Sequence, residues 1–161
     1  MVTISPPGEW VLLAYRLPRE PSTPRIAVWR KLRQLGAAQL LDGLVALPLD
    51  ARNREQFDWL AAEVVEAGGE AAVWHASLAG RRQQRELVAA MKARVAAEYE
   101  RVSAEAARLS HEPPGSRRRA LARLRRQVRR IQGRDYFPSE ARGEAERAVD
   151  RLAQLVEEPV R

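Results

Sequence analysis

The hydrophobic pattern alternates between short apolar runs and helical stripes in the first half of the chain, then becomes purely helical. Residues 10–17 (WVLLAYRL) are apolar and aromatic, closed by Pro18, as in a buried strand. Pro18, Pro21 and Pro24 exclude regular structure between them, and Thr23 before Pro24 reads as the N-cap of a helix running to Leu35. Val28, Leu32 and Leu35 share a face of that helix, and Gly36 ends it. Residues 37–49 (AAQLLDGLVALPL) are two apolar runs around Asp42-Gly43, a cue for a two-residue hairpin. Residues 54–67 form a second amphipathic stripe, with Phe57, Leu60 and Val64 inward and Gly68-Gly69 as the stop. Residues 71–78 (AAVWHASL) predict a last strand.

From Arg81 onward the period is helical throughout. Residues 84–109 carry one long stripe that includes Leu87, Met91, Val95, Val102, Ala106 and Leu109, ended by Pro113-Pro114-Gly115. Residues 116–134 follow, with Ser116 as candidate N-cap and Gly133 as the stop. A short aromatic connector leads to a helix capped by Ser139, with Ala145, Val149, Leu152 and Val156 on one side and Pro159 beyond it. The predicted fold is therefore α+β. A ferredoxin-like βαββαβ domain at residues 9–79 is followed by a three-helix antiparallel subdomain at 80–158, whose middle helix is Arg-rich. The four tryptophans, Trp10, Trp29, Trp59 and Trp74, fall one per predicted core element and are expected inside. Tyr136-Phe137 is expected to anchor the start of the last helix.

Charge sharpens this division. Residues 1–79 hold 8 Lys and Arg against 9 Asp and Glu, whereas residues 80–161 hold 20 against 12. The net charge of +7 therefore belongs to the second half, the mark of a polyanion-binding appendage on a neutral domain. Its focus is residues 116–134, where nine of nineteen residues are Arg and none is acidic. Leu121, Leu124, Val128 and Ile131 fall within about 80° of one another on a helix, and eight of the nine arginines fan across the opposite half. Arginines pair with phosphates through two-pronged contacts, so Arg118, Arg119, Arg123, Arg125, Arg126, Arg129, Arg130 and Arg134 are the candidate contacts to double-stranded DNA. The competing reading is a protein-interaction or dimerisation module, not an enzyme, whose Arg face pairs with acidic groups. Glu98, Glu100, Glu105, Glu140, Glu144 and Glu146 on the flanking helices are available for that.

A second candidate is Arg16, Arg19 and Arg25, around the Pro-rich loop and the first turn of the next helix, where an oxyanion could bind. Enzyme chemistry is not expected. With no Cys, thiolate and disulfide chemistry are excluded, and His75 and His111 lack the spacing of a metal site. No catalytic residue, metal or cofactor is assigned. No apolar run reaches the roughly 18–20 residues of a membrane span and no signal peptide is evident, so a cytoplasmic protein, apart from the membrane, is expected.

Several stretches carry a resemblance. Residues 15–22 (YRLPREPS), residues 28–32 (VWRKL), the Arg-rich helix and residues 134–137 (RDYF) resemble the N-terminal domain of the chromate-resistance ChrB family, and the likeness covers nearly the whole chain. The strand-helix-hairpin pattern also looks like the central domain of PaaX-type repressors, which itself resembles a ferredoxin-like nuclease of CRISPR adaptation. Such a nuclease would have a metal-holding Asp at the end of its first strand, where this chain has Ala14-Tyr15-Arg16. The resemblance implies a chromate-responsive regulator of a chromate-efflux operon, which makes chromate or another oxyanion the ligand to seek at Arg16, Arg19 and Arg25. With it, a DNA-binding homodimer is expected, the ferredoxin-like domain serving as scaffold and dimerisation module and the Arg helix holding the duplex. Family members often carry a further C-terminal chromate-resistance domain, which is expected to be lacking from these 161 residues.

Overall fold

A computed structural model describes residues 8–157. A loose lead-in is expected over residues 1–8 from Pro6, Pro7 and Gly8; apart from Gly8 it lies outside the described residues, as does the stop at Pro159. The elements run β1 (Trp10–Arg16), α1 (Thr23–Leu35), β2 (Ala38–Leu41), β3 (Leu44–Pro48), α2 (Ala51–Glu66), β4 (Glu70–Ala76), α3 (Arg81–Leu109), α4 (Pro114–Gln132) and α5 (Glu140–Glu157). The protein is thus α+β, with one four-stranded antiparallel sheet and five helices. The chain divides into two compact units, residues 1–89 and 90–161, so α3 contributes to both.

In the first unit the strand order is β2-β3-β1-β4. Val11 and Leu13 of β1 stand opposite Leu47 and Val45 of β3, and Leu13 also opposite Val73 of β4. Directly paired residues share a sheet face, so these side chains form one apolar layer. Helix α2 packs on β1 and β4, and α1 on α2. Val28 and Leu32 of α1, and Phe57, Leu60 and Val64 of α2, are buried, as their spacing requires. At Asp42-Gly43 the hairpin turns, with Gly43 at φ +76°.

The helix ends differ from the expected ones. Ser22, not Thr23, occupies the N-cap of α1, and no side chain caps it; Pro24 sits in the first turn, where its missing N–H costs nothing. Helix α2 starts three residues before the expected Arg54. Asp50 caps it by accepting from the Asn53 backbone N–H at 2.6 Å, and the buried Asn53 amide in turn donates to the Pro48 carbonyl at 2.9 Å. Helix α4 begins at Pro114, with Pro113 rather than Ser116 at its cap position.

The tryptophan expectation fails for three of four. Trp10 is 2% exposed, but Trp29, Trp59 and Trp74 are 51%, 58% and 59% exposed. Trp29 and Trp59 each lie one residue, about 100°, off the buried stripe of their helix. Trp74 shares a sheet face with Trp10, because Leu12 stands opposite it and Trp10 opposite Ala76. Trp10 is covered there, and its indole N–H donates to Gln84 of α3 at 2.7 Å.

In the second unit one hydrophobic cluster joins α3, α4 and α5. Tyr99, Val102, Leu124, Ile131 and Ala145 are fully buried within it. The alanines of α5 (Ala141, Ala145, Ala148, Ala153) let α4 approach closely. Tyr136 and Phe137 are half-buried.

Candidate nucleic-acid interface

Helix α4 is positioned by its apolar seam. Leu121, Leu124, Val128 and Ile131 are all buried, together with Ala120. Its start is tied down by Arg117, whose Nε donates to the Glu112 carbonyl at 2.6 Å and whose Nη1 reaches the Leu155 carbonyl of α5 at 3.4 Å. Arg117 therefore serves a helix terminus, satisfying carbonyls left open there.

The remaining arginines divide into two groups. Arg134 is half-buried and paired with Glu98 of α3, and its Nη1 also reaches the Arg130 carbonyl at 3.3 Å. Arg123 pairs with Glu105 of α3 at 2.8 Å. Glu105 also meets Arg108 at 3.0 Å, and the two guanidiniums, Arg108 foremost, hold its carboxyl down to about 2. These two arginines are thus partly committed to the fold. Arg118, Arg119, Arg125, Arg126, Arg129 and Arg130 are exposed, and none has an acidic partner among the described residues. Glu146, a candidate partner from the flanking helix, instead accepts from Arg142 at 3.1 Å and from Gln132 at 2.8 Å.

The six unpartnered arginines lie on one arc of about 140°, over roughly 18 Å of helix axis. They form two rows, Arg118-Arg125-Arg129 and Arg119-Arg126-Arg130. Arg125 with Arg129 and Arg126 with Arg130 are like charges at i,i+4, which destabilise a helix. Arg118 and Arg119 also stand near the helix N-terminus, the unfavourable end for a cation. Among the described residues nothing offsets these like charges, so the arrangement is unfavourable to the helix itself. The one other position on the arc between Arg118 and Arg130 is Ala122, which is exposed.

The second set of candidates is only partly brought together. Arg16 and Arg25 line one cleft beside the β2–β3 hairpin, and Arg19 is not part of its wall. Arg19 contributes its carbonyl, which accepts from Arg25 Nη1 at 3.4 Å. Arg16 pairs across the sheet with Glu70 at 2.5 Å, both side chains being largely exposed. Among the described residues no group of three or more His, Asp or Glu is placed to hold a metal, and no helix is long and apolar enough to cross a membrane.

Comparison with known proteins matches this sequence to a family. The family model described as "Protein ChrB, N-terminal" matches residues 25–113, from the first turn of α1 to the end of the α3–α4 joint. The chain belongs to the ChrB family. Over 146 residues it is 31% identical to Protein ChrB of Cupriavidus metallidurans, which spans 88% of this chain and 44% of that relative. The chain therefore spans less than half the length of the ChrB protein it matches. No solved structure matches it.

Proposed function

We propose that the chain is a DNA-binding transcriptional regulator of chromate resistance that holds duplex phosphates with the exposed face of α4. The observation that carries this reading is the set of six exposed arginines, Arg118, Arg119, Arg125, Arg126, Arg129 and Arg130, with no acidic partner among the described residues. A duplex carries one charge per 3.4 Å on each strand, so about 18 Å of α4 faces roughly five base-pair steps. Arg pairs bidentately with phosphate and, at base edges, with guanine O6 and N7. The arc offers no fully exposed Asn, Gln, Ser or Thr, so it favours backbone and guanine contacts over adenine ones. Within this reading the first unit is a ferredoxin-like scaffold and the second an antiparallel three-helix subdomain that displays α4. Membership of the ChrB family supports the assignment to chromate resistance.

The test is a gel-shift with operator duplex over a salt series. Affinity should fall steeply with salt. Replacing Arg125, Arg126, Arg129 and Arg130 together by Gln should weaken binding to all sequences and flatten the log–log salt slope by about 0.9 for each phosphate no longer neutralised. Binding unchanged by the quadruple substitution, in protein shown to be folded by circular dichroism, would remove α4 as the interface. Loss of folding instead would show that these arginines are structural.

A further inference from the structure

The cleft lined by Arg16 and Arg25 has a volume of about 660 Å³, within the range of small-molecule sites. Its base is built by a close approach. The Tyr15 N–H donates to the Gly43 carbonyl at 2.8 Å, and a Cβ on Gly43 would stand 2.3 Å from the Tyr15 carbonyl oxygen. The hairpin turn is therefore pressed against the end of β1, a contact that only glycine permits. One wall is α1, where Arg25 and Trp29 are one turn apart and Ile26 lies beside them.

Three kinds of chemistry meet in this cleft. Trp29 and Ile26 leave half of their large apolar surface open, and the Arg33 guanidinium sits 4.9 Å from the Trp29 ring centroid, backing the ring with a cation. Arg16 and Arg25 supply positive charge. Arg25 has no ion-pair partner among the described residues, and the Arg16–Glu70 pair is largely exposed, where an ion pair contributes little. Gln39 and Asp42 supply an amide and a carboxylate to the same wall. The Tyr15 phenol also lines the cleft, and burial, aided by the Asp42 charge, raises it above its ordinary value.

We propose that this cleft binds an aromatic organic anion, with its ring against Trp29 and Ile26, its charge held by Arg16 and Arg25, and a polar edge toward Gln39 and Asp42. A bare tetrahedral oxyanion uses the two arginines but leaves the tryptophan, the isoleucine and most of the volume idle. An aryl carboxylate and a nucleoside monophosphate share the required chemistry. The inference is independent of the DNA reading, since every residue it uses lies in the first unit.

The experiment titrates the full chain with 2-naphthoate, guanosine monophosphate, sodium sulfate and sodium chromate, followed by calorimetry and by the amide shifts of Gln39 and Gly43. At least one aromatic anion should saturate below about 1 mM, bind about tenfold or more tightly than sulfate and chromate, and shift both amides. Saturation by 2-naphthoate alone identifies the aryl acid source, and by the monophosphate alone the nucleotide source. Arg25→Gln and Trp29→Ala, both at exposed positions, should each weaken binding about tenfold. The α4 quadruple substitution should leave it unchanged. No saturation by either aromatic anion, equal or tighter binding of sulfate or chromate, unmoved Gln39 and Gly43 amides, or loss of binding in the α4 variant would each overturn the proposal. If Arg25→Gln fails to fold, Arg25→Lys together with the amide shifts decides the matter.

Discussion

The phenol of Tyr99 donates a hydrogen bond of 3.0 Å to the Asp135 carboxylate, tying α3 to the connector that follows the Arg-rich helix. Tyr99 is fully buried, and burial raises its pKa well above the ordinary tyrosine value, with the Asp135 charge adding to the effect. Burial also raises Asp135, against the Tyr99 hydrogen bond and the charge of Arg142, which lower it. A carboxyl raised in the folded state favours folding when protonated, so stability falls as pH rises past the ordinary aspartate range. Removing the Tyr99 hydroxyl raises Asp135 further and enlarges that loss. Tyr99→Phe should therefore cost about 1.5–3 kcal/mol at neutral pH, the range for a hydrogen bond to a charged group. The cost should shrink near pH 3. Urea melts of both proteins at the two pH values check this, and an equal cost at both would show that Asp135 is not the partner that matters.

Glu105 provides the opposite pH signature. Its hydrogen bonds to Arg108 and Arg123 lower its pKa from 4.5 to about 2. A depressed carboxyl stabilises above its unfolded value, and the contribution is lost as pH falls through the folded one. Glu105→Gln should lower the melting temperature slightly at neutral pH, the pair being exposed, and the difference from the parent should close between pH 4.5 and about 2. A difference that persists at the acid end would assign the effect to packing. Under the proposed DNA reading the same variant frees Arg123, so affinity for a duplex should not fall.

Gly43 should not tolerate a side chain. It has φ +76°, and an added Cβ would meet the Tyr15 carbonyl at 2.3 Å. Gly43→Ala should destabilise the first unit by about 1–3 kcal/mol, the usual range for a residue forced into such backbone. Thermal melts measure the loss. A variant as stable as the parent would mean that the hairpin turn can move away from β1.

Ser103 offers a gain. Its hydroxyl oxygen is buried in α3 and has no hydrogen-bond partner among the described residues. Alanine removes an unsatisfied polar group and is the better helix former, so Ser103→Ala should stabilise by about 1 kcal/mol. A destabilised variant would reveal a partner for the hydroxyl, such as a bound water.

Much of this fold was legible from hydrophobic period alone. The seam of α4 at Leu121, Leu124, Val128 and Ile131 is buried as its spacing requires, because a helix with one apolar stripe has only one way to hide it. The Asp42-Gly43 turn and the α2 face of Phe57, Leu60 and Val64 follow from equally local rules. The start of α2 was missed because its cap is Asp50, and the Asp50–Asn53 bond sits ahead of the apolar stripe that marks the helix.

By itself, then, the sequence determined the α+β class, the order of elements and the Arg-covered face of α4, since period and charge are properties of neighbours along the chain. Only the tertiary structure decided which charges and rings are available. Arg123 and Arg134 look like their neighbours in sequence, yet α3 brings Glu105 and Glu98 to them and leaves six other arginines without an acidic partner among the described residues. Trp10 and Trp74 share a sheet face, yet Trp10 is covered and bonded to Gln84 of α3 while Trp74 stays open. The cleft of Arg16, Arg25 and Trp29 joins positions from β1, α1 and the hairpin that no local pattern connects. The physical reason is the same in each case: solvent exposure and ion pairing depend on atoms distant in sequence, and only packing brings those atoms together.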